Sequence, residues 1–208
     1  MRNLPSRTWS VALALLAGLW SLVLLPLMHL EFSGSGMPGW ATDVLDLAPY
    51  DALVTATADL DGYFLYGSLA AVSFALLWFA TGPVLARLGW SGRVLGALLL
   101  AGAPVTVLSY VSWPEDAPLH PIWGAEGLLL IVIGAWGFII AAVAPRERVP
   151  LWERLVVGLT LVVAALATVL LGYWPHGTLV GLSVEFAALA AWAPRADAPD
   201  FDDADRAG

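Results

Sequence analysis

The sequence predicts an all-α fold, a polytopic membrane bundle of six transmembrane helices, and three observations carry that prediction. The first is composition: of 208 residues, 60% are hydrophobic and only 12% charged, with a mean hydropathy of +0.80. Soluble domains run near 45–50% apolar and about 25% charged, so most of this surface must face lipid. The second is a set of six apolar runs, most of a length that matches a hydrocarbon core about 30 Å thick. The third is arginine placement: all nine basic residues are arginines, and six crossings put every one on the same side.

The first run, Val11–Leu30, follows Arg2 and Arg7. It exceeds the roughly 7–15 residues of a signal-peptide core and no A-x-A site follows, so it reads as a retained helix. The longest external connection comes next, about Glu31–Asp61. It opens on Ser33-Gly34-Ser35-Gly36-Met37-Pro38-Gly39, a turn-forming stretch, and continues through Ala41–Leu60, aliphatic enough for a short helix lying on the bilayer and capping the bundle. The second and third runs, Gly62–Ala86 and Val94–Val111, are joined across Arg87 and Arg93. The fourth, Ile122–Ala144, and the fifth, Leu155–Tyr173, are joined across Arg146, Arg148 and Arg154. The sixth, Thr178–Ala193, is short, carries Glu185 in its middle and is followed by Arg195 and Arg206. Residues 1–195 thus form one transmembrane domain, and the Asp-rich residues 196–208 a disordered cytoplasmic tail.

Positive charge is retained in the cytoplasm during insertion, so the arginine side is inside and both termini are cytoplasmic in a multi-pass protein of the cell membrane. Tryptophans agree. Trp9, Trp90, Trp152 and Trp192 fall at the inner boundary and Trp113, Trp123 and Trp174 at the outer one, where an amphipathic ring is favoured; Trp20 and Trp136 lie deeper, as packing residues. The last four helices also repeat a pattern. Arg93 and Arg154 each lead a run to a Trp-Pro pair (Trp113-Pro114, Trp174-Pro175), then a histidine (His120, His176), a glutamate (Glu126, Glu185) and Ala-Pro-Arg. Stacked parallel hairpins build membrane bundles in this way, although the topology rules alone generate half of the pattern.

Several chemistries are excluded. Without cysteine there are no disulfides, thiolate metal sites or cysteine nucleophiles. A net charge of −8, from 17 acids against 9 arginines, removes the basic surface that nucleic acid requires. No nucleophile elbow, P-loop or dinucleotide fingerprint occurs, and Asp59-Leu60-Asp61-Gly62 lacks the later ligands of a calcium loop.

The informative residues are the polar ones in apolar runs. Glu185 lies nine residues below His176, about 13 Å down the helix and near the midplane, where a carboxylate costs several kcal/mol unless protonated, paired or wetted. Gly177, Gly181 and Ala188 share its face, so another helix approaches closely and Glu185 points inward, toward a hydroxyl donor. Its role reads as interhelical glue or as a proton or ion relay. Glu126 sits about 9 Å inside the outer end of its helix, with partial hydration and with a histidine, Tyr63 or Tyr66 as partner. His29, His120 and His176 map one to each external connection. With nearby acids they are the residues that would hold zinc or another divalent metal, although their spacing matches no ligand motif and they are not expected to share one centre. No other cofactor is expected.

An aromatic-Pro-acid turn after the third helix (Trp113-Pro114-Glu115-Asp116), His120 opening the fourth, and a Gly-to-Glu pattern in the last (Gly181, Glu185) resemble an uncharacterised prokaryotic six-helix integral membrane family, a domain of unknown function. The resemblance covers nearly the whole chain and implies the fold, but lends no activity. This chain departs from it in having Trp where Phe is expected and one additional acid in the turn. The leading expectation is a non-enzymatic integral membrane protein with lipids as partners. The alternatives are a small proton- or cation-coupled transporter using Glu126 and Glu185, and a membrane metal-binding protein; homo-oligomerisation stays open.

Overall fold

The computed structural model describes residues 6–33 and 36–192; Arg2, Arg195, Arg206, the Gly34-Ser35 pair and the acidic tail lie outside the described residues. Among the described residues the regular elements are all helical: α1 (Arg7–Ser33), α2 (Gly39–Leu45), α3 (Ala48–Ala56), α4 (Gly62–Ser68), α5 (Ala71–Arg87), α6 (Gly89–Val111), α7 (Ala125–Val143), α8 (Leu151–Gly158), α9 (Thr160–Leu171) and α10 (Trp174–Trp192), with one 3₁₀ turn at His120–Ile122. Four segments are long and apolar enough to cross a membrane: Arg7–Ser33, Gly62–Arg87, Gly89–Val111 and His120–Val143. The α8–α9 pair, bent by 47° at Leu159, makes a fifth if the two halves form one span. The bundle is therefore all-α, with several apolar helices of the kind a membrane protein uses.

The sixth apolar run forms α10, which is not among the segments that qualify by apolarity. Its position explains why. His176, Thr178, Ser183 and Glu185 are all buried, and α10 packs against α1, α5 and α9. A helix wrapped by neighbours carries polar groups that lipid would not tolerate. Closeness to α1 depends on Gly18, where an added β-carbon would stand 2.9 Å from that of Ser183. Closeness to α9 depends on Gly181, where one would stand 2.6 Å from the β-carbon of Ala167.

Two expected helices are broken. The second run divides at Leu69–Ala70 into α4 and α5, and the Trp20 indole donates to the Leu69 carbonyl at 2.8 Å. Polar stitching continues below: Ser21 and Ser73 hydroxyls lie 2.8 Å apart, and Ser73 donates to the Ala17 carbonyl of α1. The fifth run starts earlier than expected, at Leu151, and breaks at Leu159. Instead of one surface helix, the long connection forms two short ones, with Pro49 in the first turn of α3. Tyr50 of α3 donates to the Val23 carbonyl of α1 at 3.0 Å. Pro26, inside α1, has no N–H to give to the Leu22 carbonyl, so the helix is locally weakened beside this contact.

The two ends of the bundle differ. At one end, Arg87 of α5 is paired with Glu153 of α8, the Arg154 Nε donates to the Ala141 carbonyl at 3.0 Å, and Trp136 donates to the Ser91 carbonyl at 2.9 Å. All six described arginines belong to this end. The opposite end is aromatic.

Candidate functional site

A cavity of about 360 Å³ opens into the aromatic end. It is walled by the last residues of α1 (Phe32, Ser33), the start of α4 (Tyr63), the end of α6 (Ser109, Tyr110), the start of α7 and the α9–α10 link. Two glycines aim the walls. Gly124, at φ 85°, turns the chain into α7, and its N–H donates to the Ser109 hydroxyl at 3.0 Å. Gly172, at φ 74°, ends α9 and turns Tyr173 inward. Left-handed φ is nearly free for glycine and strained for larger residues, so both turns call for it. Asp61 starts α4 by accepting from the Phe64 N–H at 2.9 Å, which fixes the first turn that carries Tyr63.

Glu126 lies in the first turn of α7 and lines the cavity, yet is only 1% exposed. Thr106 donates to its Oε1 at 3.2 Å, and the Tyr110 hydroxyl lies near the carboxyl in a contact too loose for a well-formed hydrogen bond. Around it the phenols are linked. The Trp123 indole donates to the Tyr63 hydroxyl at 3.2 Å, and the Tyr110 and Tyr173 hydroxyls lie 3.4 Å apart. The Tyr63 ring is 5.0 Å from Tyr110 edge-on and stacks on Phe32 at 5.9 Å. Close passage of α4 past α6 requires Gly67, since a β-carbon there would overlap the Tyr110 ring. Beside the mouth, the Glu31 carboxyl packs on Gly62 and lies near Asp61. No arginine lines the cavity.

The expected partners of Glu126 are corrected. Tyr63 lies near its carboxyl but is bonded to Trp123, and Tyr66 turns to the long connection to pair with Thr57. The side chain is also more covered than expected, at 1% exposure, with Thr106 of α6 against its carboxyl. Glu185 is 5% exposed and accepts from Thr160 at 2.7 Å, beside the α8–α9 break, with its second oxygen unpartnered. The two glutamates are separated by core: Leu130 and Ile133 lie below Glu126, and Leu179 and Leu182 above Glu185, each at most 1% exposed. Among the described residues no chain of hydrogen bonds joins them.

The histidines are corrected too. Only His120 lies in a connection, where its Nδ1 is 3.2 Å from the Ser112 and Trp113 carbonyls. His29 and His176 are buried, at 1% and 0% exposure. The His29 Nε2–H donates to the Leu171 carbonyl at 2.9 Å, closing the end of α9 against α1. His176 faces the Tyr66 backbone in a contact too loose for a well-formed hydrogen bond. The Tyr173 ring lies between these two histidines, 5.7 Å from His29 and 5.5 Å from His176. Among the described residues no three His, Asp or Glu side chains form a group able to hold a metal ion.

Sequence reading missed Thr106, Tyr110, Tyr173, Thr160 and Glu153. A signal existed for the two tyrosines, since each closely precedes a repeated Trp-Pro pair (Tyr110 before Trp113, Tyr173 before Trp174) and so sits at the same end of its run. The threonines carry no such mark. No protein-family model, curated protein or solved structure matches this chain.

Proposed function

We propose that the chain is a six-span integral protein of the cell membrane, both termini cytoplasmic, whose non-enzymatic role is to receive a small ligand in the cavity at its outer end. It would then be a member of the prokaryotic six-helix family it resembles. The observation that carries this reading is the cavity itself, a preformed space with one buried carboxyl in a wall that includes six aromatic residues. Its volume of about 360 Å³ lies near the lower limit of the roughly 300–1,000 Å³ typical of small-molecule sites, which suits a compact ligand. Arginines at the far end support the orientation, and the shielding of α10 supports counting it as the sixth span.

A second reading, a proton- or cation-coupled transporter, is favoured by the helix break beside Glu185, because interrupted helices form the ion sites of many transporters. The apolar layer between Glu126 and Glu185 argues for the receptor-like reading instead.

The absence of native cysteine gives a direct test. Ser33→Cys and Ser109→Cys, both in the cavity wall, should react with a membrane-impermeant maleimide added to intact cells, whereas Glu147→Cys should react only after permeabilisation. Labelling of Glu147→Cys alone in intact cells would invert the orientation. Failure of both cavity cysteines to react under any condition would remove the ligand site.

A further inference from the structure

The lining residues point to a ligand charge. Six aromatic rings line the cavity: Phe32, Tyr63, Tyr110, Trp123, Tyr173 and Trp174. Aromatic faces are electron-rich and attract cations, most strongly when both are withdrawn from water. The one ionisable acid among the lining residues is Glu126, and the Thr106 hydroxyl donates to its Oε1. Glu31 and Asp61 add negative charge beside the mouth, next to Tyr63. Nothing cationic opposes this field, because no arginine is among the lining residues and the six described arginines stand at the other end. An anion entering here would meet a carboxyl and no arginine to pair with. A hydrated metal ion would find one carboxylate and little else that ligates.

We propose, resting on the ligand-binding reading above, that the cavity binds a compact organic ammonium ion, enclosed by these rings and neutralised by Glu126. A quaternary or alkylated ammonium fits both features, since its methyl groups pack on ring faces without demanding hydrogen bonds and its charge is matched by one acid. The same chemistry is offered by a soluble ammonium compound and by the choline headgroup of a lipid.

Calorimetric titration of the purified full chain in a non-ionic detergent, with choline and with its uncharged isostere 3,3-dimethylbutan-1-ol, tests the charge. Choline should bind at least about tenfold more tightly than the isostere, the usual size of a desolvated cation–aromatic preference. Glu126→Gln should weaken choline severalfold relative to the isostere, leaving the part of the preference that the rings supply. Phe32→Ala, at a ring 53% exposed and so harmless to folding, should weaken choline severalfold and gives a second reading if the glutamine variant misfolds. Reconstitution separates the sources: weaker choline binding in phosphatidylcholine than in phosphatidylglycerol vesicles assigns the site to the headgroup, and equal binding assigns it to the soluble ion. Equal affinity for choline and isostere, or full choline affinity in Glu126→Gln, overturns the ammonium assignment while the cavity stands as a ligand site. Absence of binding by either probe, with unreactive cavity cysteines, removes both.

Discussion

The two membrane glutamates are set in different hydrogen-bond environments. Glu126 accepts from the Thr106 hydroxyl, whereas Glu185 has one neighbour whose proton is contested. The Thr160 hydroxyl carries a single proton and faces the Val157 carbonyl at 2.6 Å and Glu185 Oε1 at 2.7 Å. Both contacts are hydrogen bonds at once only when the carboxyl supplies a proton of its own. Glutamine imitates that form, its amide N–H replacing the acid proton and its carbonyl taking the place of the unpartnered Oε2. Glu185→Gln should therefore melt within about 2 °C of the parent in detergent, a shift below ~0.5 kcal/mol. Glu185→Leu should lose about 1 kcal/mol, the net worth of one buried hydrogen bond, since Thr160 keeps its bond to Val157. Equal melting of the two variants would mean that the Thr160 pairing does not stabilise the fold. At this scale the acids were legible in the sequence because a charge inside an apolar run is conspicuous. Their partners were not, because which of many threonines and tyrosines meets an acid depends on helix rotation. For the same reason, counting positions from a helix end placed His29 and His176 at a boundary, while the rotation of α1 and α10 buried them.

Between elements, the sharpest polar contact is the Arg87–Glu153 ion pair that ties the end of α5 to the start of α8. Glu153 is fully buried and the Arg87 side chain 20% exposed, so removing the guanidinium strands a carboxylate. Arg87→Ala should cost roughly 3 kcal/mol, measured by chemical unfolding in detergent. The double variant Arg87→Met, Glu153→Met should recover most of that loss, because apolar residues of similar volume replace a buried pair with little penalty. A double variant no more stable than Arg87→Ala would show that the site needs charge rather than volume. Periodicity hid this pair: Arg87 looked like a topology signal in a loop, and Glu153 sits among Trp152 and Arg154, where an acid is unremarkable. The helix breaks were hidden for a related reason. Gly67-Ser68 and Gly158 precede the two breaks but look ordinary in apolar runs; Trp20 meets the freed Leu69 carbonyl at the first, and at the second Thr160 bonds the Val157 carbonyl and meets Glu185.

Across the whole molecule, the first and last helices pack on each other, with Gly18 of α1 set against Ser183 of α10, and α10 also meets α5 and α9. Hydrophobic runs marked where the long apolar helices lie, but a uniformly apolar run does not say where it breaks or which neighbours it will have. The polar residues of α10, which mark it as an unlikely lipid-facing segment, are the trace of its central place. A bundle closed by its last helix cannot complete its core until that helix arrives. Its contacts to α1 and α5 also cross the connection at residues 144–150, so they do not depend on an unbroken chain there. Residues 1–150 and 151–208, expressed together as separate fragments, should therefore copurify and regain the melting behaviour of the intact chain. Residues 1–150 alone should be degraded or aggregate, lacking the helix set against Gly18. Gly18→Val in the first fragment supplies the control, since its added carbons would meet Ser183 and should abolish reassembly. If the 1–150 fragment were stable by itself, or if Gly18→Val fragments still paired, α10 would be peripheral and the order of assembly argued from its burial would fail.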